Sequence, residues 1–243
     1  MAPYKGVSGL FLTYNRNKQS VTLDYTNDAG RAVLHDLVKK SDVVIVNLTG
    51  RVQKKLGVDY AALSAVRADI IHVSLSGFGL TGARRDFPCY DLIAEGYSSV
   101  MDLTGEPDSP PQKIGTPAAD LIAGMDAAFA IVSALFARAR TGRGQRVEAS
   151  LFESQVALML FRAVGYFATG KVPTGKLGSA AAHIVPYQSY PTADGDIMIG
   201  ALNDAQFQRL VIAMGLPELA AHADYATNAL RVKHRAQLNA QLE

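Results

Sequence analysis

An α/β fold with a parallel sheet, followed by part of a smaller α+β unit, is what this sequence predicts. Three observations predict it. Short apolar runs at Asp42-Val-Val-Ile-Val-Asn47 and Ile70-Ile-His-Val-Ser-Leu75 each follow a helical pattern, as strands buried on both faces do. A stretch dominated by Gly, Lys, Pro, Thr, Ser and Ala at 170–182 marks a change of character. Beyond it, Asp194-Gly195 separates the runs Ile184–Tyr190 and Asp196–Ala201, which reads as a hairpin. The division is a large domain at 1–170, a linker at 171–183 and an incomplete small domain at 184–243.

The elements follow in order. Residues 9–14 and 20–25 read as strands around the polar turn Asn15-Arg16-Asn17-Lys18. Asp28 caps a helix over 29–40, with Val33, Leu34, Leu37 and Val38 on one side and Lys39-Lys40 in the last turn. The strand at 42–47, a helix near 59–67 and the strand at 70–75 complete the alternation that makes the sheet parallel. Gly77-Phe-Gly79-Leu-Thr-Gly82 carries the letters of a dinucleotide fingerprint. The fingerprint must open a helix, and here Ala83-Arg-Arg-Asp-Phe-Pro88 follows with a proline, so the segment reads as a mobile loop rather than an NAD site. Residues 90–103 are mildly helical, and Gly105–Pro111 is a turn-rich loop.

The chain is organised around residues 113–148. A turn led by Gly115 and Pro117 delivers Asp120 to the head of a helix in which Leu121, Ile122, Met125, Phe129, Val132, Leu135 and Phe136 recur at helical spacing. Arg138 and Arg140 suit the last turn, and Gly142 follows as a stop. A helix head favours an ionised carboxylate. Ala123 and Gly124 lie on the same face and leave room over Asp120, whereas Asp126 points elsewhere. An aspartate at a helix start is by itself an ordinary cap.

Arg146–Ala149 reads as a strand. Ser150-x-x-Glu153 is a capping box for a helix that runs to Thr169 and closes at Gly170. Its apolar face, Phe152, Val156, Met159, Leu160 and Val164, reads as core. Past the linker, Asn203-x-x-Gln206 caps a helix to Gly215, with Pro217 beyond, and a further helix starts near Asn228. About 55 residues in this small unit are expected to bury little on their own.

Composition narrows the function. With 243 residues, 49% of them hydrophobic and 19% charged, the chain supports a sizeable core. A net charge of +2 gives no case for nucleic acid. The single cysteine, Cys89, precludes an intrachain disulfide and fits a reducing, cytoplasmic compartment. As a nucleophile it has no histidine placed beside it in sequence. His35, His72, His183, His222 and His234 show no metal-ligand spacing, so no metal is expected. The opening Met-Ala-Pro-Tyr-Lys-Gly lacks an apolar signal region, and no run reads as long enough to span a membrane.

An ordered set of motifs resembles the class III CoA-transferases, a family that includes the α-methylacyl-CoA racemases. Gly115-x-Pro117-x-x-Asp120-x-x-x-Gly124, the apolar helix and Arg140-Thr-Gly-Arg-Gly-Gln145 resemble its core signature. Asn15-Arg-Asn-Lys18-x-Ser20-x-x-Leu23-Asp24, Ser41-Asp-Val-Val-x-Val-Asn47, Lys55-Leu-Gly57, Ser76-Gly-Phe-Gly79, Tyr90-Asp91, Leu103-Thr-Gly-Glu-Pro107, Val185-Pro-Tyr-Gln188 and Thr192-x-Asp-Gly195 follow in register. One departure stands out: after Asn47 the family usually shows an aromatic and then Pro-Gly, whereas this chain has Leu48-Thr-Gly-Arg51.

The resemblance implies a Rossmann-like large domain, a small domain and two interlocked subunits. It also implies a fragment, with the family's first strand-turn-helix unit missing before Met1 and the rest of the small domain missing after Glu243. By the same match Asp120 is the nucleophile. The CoA contacts fall on Leu23, Asp24, Tyr25 and Thr26, on Asn47, Leu48 and Thr49, on Lys55, and on Pro88 to Asp91, including Tyr90. Lys55 would meet a phosphate as a point charge. Coenzyme A enters as a thioester substrate, with no permanently bound cofactor, and the partners are an acyl-CoA and a small organic acid, without nucleic acid or membrane. His183-Ile-Val-Pro-Tyr-Gln188 with Tyr225-x-Thr-Asn228-x-x-Arg231-Val resembles transferases that use small dicarboxylates, such as succinyl-CoA with glutarate. Glycines near 77–82 and 175–178 are candidates to hold the oxyanion. Two alternatives stand beside this reading. A racemase needs an acid–base pair, but where the racemases have a histidine this chain has Tyr90, and a phenol is a poor base at neutral pH. An inactive CoA-binding fragment would show no exchange chemistry.

Overall fold

The computed structural model describes residues 6–173 and 175–243. The opening residues 1–5, read above as lacking a leader, and Thr174 in the expected linker lie outside the described residues. In chain order the elements are α1 (Gly9–Tyr14), α2 (Asp28–Lys40), β1 (Val43–Val46), α3 (Gly50–Leu56), α4 (Tyr60–Val66), β2 (Ile71–Ser76), α5 (Asp91–Tyr97), α6 (Ala118–Thr141), β3 (Gln145–Ser150), α7 (Leu151–Leu158), α8 (Leu160–Thr169), β4 (Tyr187–Thr192), β5 (Gly195–Gly200), α9 (Asp204–Ala213), α10 (Pro217–Ala220), α11 (Asn228–Lys233) and α12 (Arg235–Leu242). The fold is α/β: β1, β2 and β3 form a parallel sheet in that order, and β4 and β5 form a separate antiparallel hairpin. The chain divides into two compact units, one running up to Val73 and including Ile131–Val147, the other Ser74–Ala130 with Glu148–Glu243.

In the first unit, Val38, Val46, Val58, Leu63 and Ile70 make the core, with Tyr25, Leu34 and Leu48 packed against it. β2 is buried along almost its whole length, which is why its apolar run was legible; β1 leaves Ile45 57% exposed and was legible from its run of β-branched residues. Asn27, not Asp28, caps α2, its side chain accepting from the Gly30 N–H. Residue 30 is glycine because a Cβ there would stand 1.8 Å from the Asp24 carbonyl oxygen. Arg138 does more than complement a helix dipole. Its Nη2 meets Asp42 Oδ1 at 2.8 Å, and its Nη1 donates to the Asp69 carbonyl at 3.2 Å. Arg67 clamps the same two aspartates.

Several sequence expectations are overturned. Residues 9–14 form a helix, not a strand, and residues 20–25 form no strand. Thr13, Asn15 and Lys18 each bond back to a carbonyl four residues earlier, which favours helical turns here. At Asp24, Oδ1 accepts from the Thr26 N–H and hydroxyl, turning the chain before any ladder can form. Helix α3 was not foreseen; its stop, Gly57 at φ 69°, was the available signal.

The expected single helix at 150–169 is broken at Met159 (φ −84°, ψ 3°). Its supposed core face is not core: Val156, Leu160 and Val164 are exposed. Helix α7 buries its polar side instead, Ser154 and Gln155, and the Ser154 hydroxyl donates to Asp126 Oδ2 at 2.6 Å. Helix α6 behaves similarly. It buries Ala119, Ala123, Ala127 and Ala134 and exposes Leu121, Met125, Phe129, Val132 and Phe136. At 24 residues, α6 is also long and apolar enough to cross a membrane by length and composition, against the sequence reading. That is weak evidence of a membrane span, because core helices of soluble proteins meet the same standard.

The C-terminal segment corrects the expectation that it would bury little. Val185, Tyr190, Ala201, Phe207, Val211, Leu219, Tyr225, Leu238 and Leu242 form one buried cluster. The hairpin pairs Tyr187 with Gly200 through to Thr192 with Gly195, and the Thr192 hydroxyl donates to Asp194 across the turn.

Candidate functional site

Helix α6 begins at Ala118, so Asp120 stands in its first turn rather than at its cap. The Leu121 N–H closes on the Pro117 carbonyl at 3.0 Å, and the proline fixes the entry. The Asp120 side chain is exposed, and among the described residues nothing hydrogen-bonds or pairs with its carboxylate. Its pKa is nonetheless raised, first because protein packed against one side of the carboxyl desolvates it, and second because Asp91 is near. The helix head pulls the other way and loses.

Asp91 opens α5 and ties that helix to α6: its Oδ1 accepts the Ala119 N–H at 2.8 Å. Its Oδ2 lies 4.0 Å from Lys113 Nζ. Tyr90, one residue earlier, is 78% exposed. Cys89 completes the group. Burial pushes its thiol up, and Asp120 and Asp91 push it further, so it is held as a thiol and not as a nucleophilic thiolate. Gly77 rides directly on this cysteine; a Cβ there would lie 2.0 Å from Cys89 Cβ. Thus Gly77, Cys89, Tyr90, Asp91 and Asp120 come together in one unit.

The remaining residues singled out for CoA lie in the other unit. Leu23 to Thr26 form the tight turn before α2 described above. Asn47, Leu48 and Thr49 link β1 to α3; Asn47 is exposed, and Leu48 accepts a bond from Gln53 at 2.8 Å through its carbonyl. Tyr25 and Leu48 pack on the same apolar core, so the two segments share one foundation. Lys55 is exposed in the last turn of α3.

Two sequence ideas are narrowed. The Gly79 N–H donates to the Ser76 hydroxyl at 3.1 Å, the Leu80 N–H to Glu148, and the Gly178 N–H to the Gly105 carbonyl at 2.9 Å. These amides are engaged and do not form an oxyanion hole as they stand. The residues that suggested a dicarboxylate substrate hold one another instead. Asn228 bridges the His183 carbonyl and the Val185 N–H, while Arg231 donates to the carbonyls of Val185 and Tyr225. Arg231 is fully buried and paired with Asp204 at 2.9 Å, so it is not a spare cation for a distal carboxylate.

A cavity of about 690 Å³ in the second unit is lined by Asp102, Met159, Arg162, Tyr166, Phe167 and Lys176 among others; Gly175, one of the oxyanion candidates, lines it, and Asp120 does not. Sequence reasoning missed Glu95 and Lys113, which flank Asp91; the signal for Glu95 was its place four residues after Asp91 on a helix.

The chain is 38% identical over 224 residues to a succinate–glutarate CoA-transferase of Agrobacterium fabrum, covering 92% of this chain and 56% of that protein. It is 34% identical over 243 residues to an acetyl-CoA:oxalate CoA-transferase of Acetobacter aceti, covering 99% of this chain and 62% of that protein. The crystal structure of a CaiB/BaiF family protein from Brucella suis superposes with a TM-score of 0.83 at 40% identity, over all of this chain and 64% of that one. The chain therefore spans little more than half the length of these curated relatives. The model of CoA-transferase family III matches residues 1–243, and the chain belongs to that family.

Proposed function

We propose that the protein transfers CoA from an acyl-CoA, with succinyl-CoA as donor, to a small mono- or dicarboxylic acid, and that Asp120 is the acyl carrier. The observation that carries this reading is an exposed carboxylate with no hydrogen-bond or ion-pair partner among the described residues, at a helix head beside small residues. Asp120 attacks the donor thioester carbonyl and forms a mixed anhydride as CoA thiolate leaves. The thiolate attacks the Asp120 carbonyl, giving an aspartyl-CoA thioester and the free donor acid. The acceptor carboxylate then attacks that thioester, and the path runs in reverse to the new acyl-CoA.

The electrostatics favour these steps. Desolvation and Asp91 both penalise the Asp120 anion, and neither penalises the uncharged anhydride or thioester. The repulsion that raises the pKa therefore helps drive acylation. The relatives' names support a short-chain acid partner. The segments at 23–26 and 47–49, with Lys55, are proposed to hold the nucleotide end of CoA, and Tyr90 with Asp91 to border the reacting end. The exposed apolar stripes of α6 and α8 support an interlocked dimer in the full-length protein.

The test is Asp120→Ala in the full-length protein, assayed for exchange of CoA between succinyl-CoA and labelled acids. Turnover should fall about a thousandfold or more, and the aspartyl-CoA adduct seen by mass spectrometry in wild type should vanish. Retained turnover would remove Asp120 from the mechanism. Washout of α-hydrogen label without exchange would favour the racemase reading.

A further inference from the structure

One buried carboxyl beside this site has no role in the scheme above. Glu95 follows Asp91 by four residues on α5, so the two side chains share a helix face. Glu95 is wholly buried. Its Oε2 accepts the Ile114 N–H at 2.8 Å, while its Oε1 has no donor among the described residues. Helical spacing brings Asp91 to the face that carries this unpartnered oxygen. Two ionised carboxylates offer acceptors and no donor, so a bond between them requires a proton on one. Asp91 has the Ala119 N–H on Oδ1 and Lys113 4.0 Å from Oδ2, whereas Glu95 has the Ile114 N–H on one oxygen alone.

We propose that Glu95 is a neutral acid whose Oε1–H donates to Asp91, and that this bond seats Asp91 on the Ala119 amide and so positions the helix head that carries Asp120. Glu95 is then a positioning residue, acting through Asp91. Burial and the Asp91 charge raise its pKa, and only the Ile114 amide and Lys113 oppose them. Of the elements against α5, helix α7 brings Glu153, whose carboxylate is occupied by the Ser150 hydroxyl at 2.7 Å, and the 3-10 turn Val100–Asp102 brings Asp102. Neither supplies a cation that would hold Glu95 ionised. One shared proton leaves the pair with a single negative charge beside Asp120, where two would repel the nucleophile and drive Asp91 off its amide.

The inference rests on the proposed role of Asp120 only where activity is measured. The experiment compares full-length wild type, Glu95→Gln and Glu95→Leu. With 13C-carboxyl glutamate incorporated, NMR at about pH 6, well above the ordinary glutamate pKa of about 4.3, should show one protonated carboxyl resonance in wild type that is absent from Glu95→Gln. A spectrum with every glutamate ionised overturns the proposal. In the exchange assay, Glu95→Gln, which keeps a donor without a charge, should hold kcat within about threefold, while Glu95→Leu should lower it about tenfold or more with KM for acyl-CoA moved less. A Glu95→Gln enzyme as damaged as Glu95→Leu also overturns it. Where Glu95→Leu does not fold, the resonance and the Glu95→Gln rate decide. If Asp120→Ala kept its turnover, the transferase mechanism would fall while the Glu95 resonance remained, so the two failures are separable.

Discussion

Asp120 and Arg231 are the two charged groups on which most depends, and they are treated in opposite ways. Arg231 is fully buried, donates to two backbone carbonyls, pairs with Asp204 and lies 4.4 Å from the Phe207 ring centroid. Asp120 is exposed, has no such partner among the described residues and is pushed away from its charged form. The apolar side chains divide the same way. The segment around Arg231 gathers Tyr190, Phe207 and Leu238 into a closed core, while α6 buries alanines and leaves Phe129 and Phe136 outside. A buried charge held by backbone carbonyls and an opposite charge holds shape. One left with spare valence at a helix head is available for chemistry, and an apolar face left open is available for a partner.

The largest effect on stability expected from this contrast is at Arg231. Replacing it by methionine fills similar volume but leaves the Val185 and Tyr225 carbonyls without their donors. The cost should be about 3 kcal/mol, given about 1–3 kcal/mol for each buried group left unsatisfied. Urea denaturation followed by circular dichroism measures it. In the fraction that stays folded, exchange chemistry at Asp120 should be little changed. A variant as stable as wild type would show that the cluster is not what holds the segment.

How much of this was legible depended on what each residue answered to. The strand at 71–76 was readable because two-sided burial leaves an apolar run, and the strand at 43–46 because its residues are all β-branched. Asn203 and the Asp194-Gly195 turn were readable because caps and turns are local chemistry. What failed was the assignment of faces. The stripes Val156-Leu160-Val164 and Met125-Phe129-Phe136 have the spacing of core, and spacing alone does not say which molecule covers a face. At Asp120 the sequence indicated the residue and its helix, but the rise in its pKa comes first from packing no local pattern encodes and then from Asp91, 29 positions away. Likewise the motif containing Asn228 and Arg231 could be matched to a group of relatives, but the backbone partners of those two side chains could not be read from it.

A middle-sized effect tests the open face. Phe129→Ser with Phe136→Ser changes two side chains that are 77% and 64% exposed. Stability of the chain alone should move by no more than about 0.5 kcal/mol per site, as at other surface positions. In the full-length protein the same pair should shift the proposed dimer toward monomer, read by light scattering across a concentration series. A loss of several kcal/mol from the chain alone would mean that these rings are core within it, and the contrast with the Arg231 segment would disappear.

The smallest effect is the most specific to Asp120. Its carboxyl has a folded pKa above the ordinary 3.8, so the folded state disfavours the anion more than the unfolded chain does. The group's contribution to stability is therefore fully present below the ordinary value and is lost as pH rises through the raised one. Asp120→Asn is neutral throughout and should escape that loss. It should melt slightly higher than wild type near neutral pH, with the difference fading in acid below about pH 3.8. The gain is small because solvent screens an exposed side chain. Asp91→Asn in the same background should shrink it further, since Asp91 supplies the second cause of the shift. A variant that melted lower than wild type at neutral pH would mean that a donor or cation holds the carboxylate in solution. Asp120 would then belong with Arg231, as a charge held by partners of its own, and an acyl-carrying role would have to be sought elsewhere.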